Sequence, residues 1–174
     1  ALRGVALTRE SKHRWGEGFA LLSHGMLALV RGDGSEALAI LQGAADIFTE
    51  IKHPENRAWV LGPLGLAALR AGNPALAQES VLQALRTGVD LGAFMAAMYA
   101  LPGAALLLAE EGAVERAIET YACASRYGFV ANSRWFQDVV ERPLAAHAAR
   151  LPAEIAAAAR ARGRSRDWKA MAAL

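Results

Sequence analysis

Gly65-Leu66-Ala67-Ala68-Leu69-Arg70-Ala71-Gly72-Asn73-Pro74-Ala75-Leu76-Ala77 stands near the middle of the chain and reads as the end of one helix, a turn and the start of another. Gly72-Asn73 breaks the first helix as a left-handed C-terminal cap would. Pro74 opens the second, where its missing N–H costs nothing. Working outward, Arg57 to Ala71 carries Leu61, Leu64 and Ala68 at helical spacing, and Pro74 to about Val89 sets Ala77, Val81, Ala84 and Leu85 on one face.

The same plan recurs in both directions with a period of 40 residues. Gly32, Gly72 and Gly112 form one column; Ala37, Ala77 and Ala117 a second; Ala44, Ala84 and Ala124 a third. Gly25 and Gly65 are matched by Ala105, Leu21 by Leu61 and Leu101, and an aromatic column runs Phe19, Trp59, Tyr99. The first unit is Trp15 to Val30, a turn at Gly32-Asp33-Gly34, Ser35 as N-cap, then Glu36 to about Ile51. The third runs from about Gly92 to Glu111, turns at Gly112 and continues from Ala113 to Tyr127. Side chains no larger than alanine let helices cross closely, so Gly25, Gly65, Ala37, Ala77 and Ala117 mark crossing points. A lone hairpin cannot bury both faces, and stacked hairpins can.

Within each unit the order of small residues is Gly25-Gly32-Ala37-Ala44, Gly65-Gly72-Ala77-Ala84 and Ala105-Gly112-Ala117-Ala124. This resembles the tetratricopeptide repeat signature over residues 15–128, with a period longer than that family's, roughly 34, with Leu21, Leu61 and Leu101 at its tryptophan position and without its closing proline. The long-helix variant is similar to the C-terminal sensor regions of bacterial signal-transduction ATPases and transcriptional activators. The expected fold is all-α: a right-handed α-solenoid of stacked antiparallel hairpins, 15–52, 53–91 and 92–128. Residues 1–14 read as the end of a preceding helix and a loop, and 129–174 as a degenerate helical cap. The resemblance implies a non-catalytic protein or peptide interaction module, a fragment of a larger bacterial signalling or transcription regulator.

Composition agrees with helices and narrows the function. Of 174 residues 54% are hydrophobic and only 7% aromatic, so alanine and leucine must build the interior. Nineteen basic against 17 acidic residues give a net charge of +2, which demands no polyanionic partner. The one cysteine, Cys123, forbids an internal disulfide and fits a reducing compartment. Ala1–Leu7, followed by a charged run, does not read as a secretory signal, and Phe94–Ala109 is too short to span a bilayer, so the cytoplasm is the expected location and no membrane partner is expected.

Past Gly128 the register slips. Asn132-Ser133 can cap a helix through Trp135, Phe136, Val139 and Val140 that Pro143 kinks or restarts. Leu151-Pro152-Ala153-Glu154 opens another to about Arg162, Gly163 among basic residues suggests a mobile hinge, and Asp167 opens a last short helix. His53-Pro54-Glu55 reads as a turn between repeats, and Pro63 and Pro102 as bends within helices.

The resemblance places the partner site on a concave face formed by the first helix of each unit: Phe19, Leu22, Met26 and Leu29, then Trp59, Leu66, Leu69 and Arg70, then Tyr99 and Leu106. The aromatic column either anchors a peptide there or is buried between hairpins. Arg70 is the one charge on that face, and it reads more readily as a solvated residue near a helix end. The occupant is a protein, a peptide or another domain of the same chain. A second reading is a nucleic-acid-binding solenoid using Arg150, Arg160, Arg162, Arg164, Arg166 and Lys169, although the alternation of those arginines spreads them around a helix and favours a solvated linker. His13, His24, His53 and His147 make no metal spacing, no nucleophile arrangement or phosphate loop occurs, and neither a cofactor nor a catalytic residue is expected. His24 and Cys123 read as packed core residues.

Overall fold

The computed structural model describes residues 2–173, and they are all-helical, with no strand among them. Ala1, the first residue of the expected N-terminal helix, lies outside the described residues. The elements are α1 (Leu2–Glu10), α2 (Arg14–Arg31), α3 (Gly34–Glu50), α4 (Pro54–Arg70), α5 (Pro74–Asp90), α6 (Phe94–Glu110) and α7 (Val114–Ser125). Then come the short α8 (Gly128–Ala131) and α9 (Arg134–Phe136), a π-helical turn (Gln137–Glu141), α10 (Arg142–Ala148), α11 (Ala153–Ser165) and α12 (Trp168–Ala172). Sequence neighbours pack on each other from α1 to α7, and α4 also packs broadly on α6.

Gly32, Gly72 and Gly112 stand at equivalent bends, each left-handed, with φ of +85°, +78° and +83°. At each bend two N–H groups reach back to carbonyls of the helix just ended. At Gly72 these are Gly72 N to Leu69 O at 3.1 Å and Asn73 N to Ala68 O at 2.8 Å. The same closure appears at Lys12 (φ +55°), 20 residues before Gly32, and at Lys52 (φ +54°) and Gly92 (φ +63°), halfway between the other three. A left-handed residue therefore recurs at 12, 32, 52, 72, 92 and 112, every 20 residues. The structural unit is one helix of 17 or 18 residues from α2 to α6 plus a turn of three or two residues.

Residues just after those bends start the next helix. Asp33, not Ser35, caps α3, accepting from Glu36 N; Asn73 accepts from Leu76 N, and His13 Nδ1 from Gly16 N. Ser35 fails as the cap because the left-handed Gly32 ends the turn one residue earlier than the glycine pair suggests. Pro54 likewise belongs to the first turn of α4, so His53-Pro54-Glu55 is a helix start rather than a free turn. Both α4 and α6 run continuously through their internal Pro63 and Pro102.

The small-residue columns do what close crossings require. Ala37, Ala77, Ala117, Ala44, Ala84, Ala124 and Ala105 are all at 0% exposure. A Cβ on Gly25 would lie 2.5 Å from Leu41, and one on Gly65 2.6 Å from Val81. On Gly62 it would lie 2.5 Å from the carbonyl oxygen of Tyr99, so α4 and α6 touch backbone to backbone. Around these crossings Phe48, Leu29, Leu41, Leu64, Leu66, Met98 and Leu101 fill one continuous core. Each such side chain contributes about 1.5–3 kcal/mol of burial.

The C-terminal end departs from expectation in two places. Gly163 is no hinge: it lies inside α11, buried, where a Cβ would run into the carbonyl of Glu119 on α7. The basic string is not a free linker either. Arg162 pairs with Glu115 and Glu119, Arg166 with Glu119, each at 3.1 Å, and Arg126 donates to the carbonyl of Arg166 at 2.8 Å. Glu119 is buried, so two guanidiniums compensate its charge where α11 crosses α7.

Candidate partner-binding site

Equivalent positions on α2, α4 and α6 point to one shared face. Phe19, Met26, Trp59, Leu69 and Tyr99 are half-buried there, while Leu22, Leu29, Leu66 and Leu106 are buried. Arg70 at the end of α4 keeps exposed atoms. The aromatic column is thus neither free surface nor core. Phe19 meets Trp59 edge-on at 5.7 Å and Phe48 at 5.2 Å, and Trp15 stacks beside it at 4.5 Å. Trp15 also donates its indole N–H to Asn56 Oδ1 at 3.1 Å, and the indole nitrogen of Trp59 is buried without a partner.

What covers the shared face is the chain itself. The π-helical turn lies against α2 and α6, Arg70 ties it to α4, and α8 packs on α7. Trp135 Nε1 donates to the carbonyl of Met26 on α2 at 2.8 Å. Arg70 donates Nη1 to Leu29 O at 2.8 Å and Nη2 to Val139 O at 3.1 Å, joining the end of α2 to the π-helical turn. Tyr99 on α6 lies 5.2 Å from Phe129 and 6.1 Å from Phe136. Phe136, Val139 and Val140 are buried at 1% exposure or less within the main core, while Phe129 remains 37% exposed. Further on, His147 Nε2 sits 3.4 Å from Glu110 at the end of α6, an ion pair whenever the imidazole is protonated.

Burial sets the electrostatics of the site. It lowers the Arg70 guanidinium from its ordinary pKa and raises the Tyr99 phenol above its own. Both shifts follow from desolvation. Arg70 stays charged, and its two acceptors are main-chain carbonyls, which suit a cation at the end of a helix. The arrangement holds main chain and apolar side chains, with no acid, base or nucleophile poised on it. Among the described residues no group of three or more His, Cys, Asp and Glu gathers as a metal site would need, and no helix is long and apolar enough to cross a membrane. Cys123 is buried on α7 and burial raises its thiol pKa, so the reactive thiolate is disfavoured.

The ten residues expected on the partner face lie on α2, α4 and α6, five of them half-buried, four buried and Arg70 exposed. Trp135, Phe136, Val139 and Val140, expected only as part of a cap, are the residues that sit on it. Their pattern of two adjacent aromatics and, one turn later, two β-branched residues was the available signal. Elsewhere a concavity of about 230 Å³ opens between α5 and α6, with Ala104 and Leu108 in its lining and Arg116 of α7 at its edge.

No family model, no curated protein and no solved structure matches this chain. Its function is therefore argued from the site.

Proposed function

We propose that this chain is a non-catalytic protein-interaction module: tetratricopeptide-like hairpins stacked as a right-handed solenoid, whose concave face receives a helical segment of polypeptide. The observation that carries this reading is the seating of Trp135–Val140 against α2, α4 and α6. That face accepts protein main chain through Arg70, an indole N–H through the Met26 carbonyl, and apolar side chains between them. The resemblance to sensor regions adds a setting, a cytoplasmic regulator of signalling or transcription. The nucleic-acid reading loses support because Arg162 and Arg166 are spent on Glu115 and Glu119.

A photo-cross-linker tests the reading in the native host. Ser23 is exposed between Phe19 and Met26, whereas Gln83 is exposed on α5. Benzoylphenylalanine at Ser23 is expected to trap a discrete protein partner that the same group at Gln83 does not. Identical adducts at both places, or none at Ser23, would sink the interaction reading. Filter binding of DNA and RNA at two salt concentrations should show no steep salt-dependent retention.

A further inference from the structure

We infer that the outside partner is an amphipathic helix carrying two adjacent aromatic residues followed one turn later by two β-branched ones, and that Trp135–Val140 is the chain's own copy of that ligand, closing the site until it is displaced. This rests on the interaction reading above and names the partner's chemistry. Three observations carry it.

First, the resident stretch is itself a helix: Arg134–Ala148 runs unbroken through α9, the π-helical turn and α10. It opens with the three residues of α9, where Ser133 makes no side-chain cap bond. The next five residues leave the α-helical pattern for a π-helical turn, a geometry often found at functional places. Second, its polar ties at the shared face run through main-chain carbonyls and the Trp135 indole: Trp135 to Met26 O, and Arg70 to Val139 O. Any helix offers carbonyls, so Arg70 would greet an entrant as readily as the resident. Third, the specificity lies in Phe136, Val139 and Val140, all buried. Their departure uncovers apolar surface, so an entrant succeeds only by returning equivalent groups. Arg70, the single cation, donates to two main-chain carbonyls, so the face selects apolar groups rather than a charged peptide terminus.

The test uses the whole 174-residue chain and a fluorescein-labelled synthetic peptide of residues 128–148. Wild type, with its face occupied in cis, is expected to bind the peptide weakly. Val139→Asp, which puts a charge at a buried position of the resident copy, should bind it at least about tenfold more tightly, since the competent fraction rises. Trp135→Phe, losing one N–H, should fall between them. Met26→Asp, on the receiving face, should abolish binding. Hydrogen exchange of wild type covers the chance that Val139→Asp fails to fold: amides of 128–148 should exchange through an opening that leaves α4 and α5 protected. Equal peptide affinity in wild type and Trp135→Phe, or exchange of the stretch in step with α4 and α5, overturns the proposal. Should that happen while cross-linking at Ser23 still traps a partner, the interaction reading stands and only the displaced-ligand mechanism is lost.

Discussion

The array from α2 to α7 and the stretch from Gly128 to Ala148 are built by opposite means. In the array, helices meet where side chains are smallest: Gly25 under Leu41, Gly62 under the Tyr99 carbonyl, Ala77 and Ala117 fully buried. Position is set by backbones that come as close as a missing Cβ allows, and the turns that join them are alike. In the later stretch, large groups do the positioning, with Trp135 against Phe136 at 4.9 Å and Phe136 against Phe129 at 5.8 Å. Close crossings repeat and stack, whereas aromatic wedges fit one place only. The lesson is that a repetitive scaffold offers a regular face, and irregular sequence is needed to occupy it.

The sharpest way to break this comparison is to remove one large buried ring from each region. Phe48→Ala should lower the global unfolding free energy by roughly 3–5 kcal/mol, because Phe48 is fully buried in the array and packs on Gly18. Phe136→Ala removes an equally buried ring but should mainly lower the opening energy of residues 128–148, moving the melting of the array less. Thermal unfolding followed by circular dichroism, beside segment-resolved hydrogen exchange, separates the two. Equal losses in the global transition would make both regions one cooperative unit.

A smaller effect probes the crossings. Gly62→Ala puts a methyl onto the backbone of α6, which has no flexible side chain to yield. A loss of about 1–3 kcal/mol is expected in denaturant unfolding. Gly43→Ala, whose Cβ would find Leu21 at 3.8 Å, should be neutral or stabilising.

The turns sharpen the comparison further. Lys52 holds a left-handed conformation that glycine adopts at the equivalent Gly92. Lys52→Gly should therefore stabilise by up to about 1 kcal/mol, while Gly72→Ala should cost a similar amount. Paired melting curves read both signs, and a stabilised Gly72→Ala would refute the account of the bends.

The mildest effect concerns acid. Glu17 is buried on α2 between Arg9 and Arg14, both at 2.7 Å, and the hydrogen bond from Arg9 holds its carboxyl below the ordinary range against the cost of burial. A depressed carboxylate stabilises the fold above its unfolded pKa of about 4.3 and loses that contribution as pH falls through its folded value. Glu17→Gln should flatten the stability profile in that acid window and leave its slope at neutral pH unchanged. An unaltered acid limb would remove the carboxylate from the account of how α1 docks.

Much of the array was legible because its causes are local. Gly32, Gly72 and Gly112 announced their bends, since glycine pays least for a positive φ. Pro74 and Asn73 announced a helix start, and the alanine columns announced crossings. The site was legible only as a set of positions. Nothing in Trp135-Phe136 says which helices it will meet, and a glycine among arginines at 163 looks like a hinge until α7 is seen against it.

The sequence by itself determined the all-helical character, the 40-residue spacing of the glycine bends and the small-residue crossings, because capping, backbone freedom and side-chain size act within a few residues of their source. Tertiary structure alone decided that Lys12 and Lys52 turn left-handed, that Gly163 is a crossing, and that Trp135–Val140 occupies the shared face. Those outcomes depend on partners up to 109 residues away, as in Trp135 to Met26, where long-range packing overrides local preference.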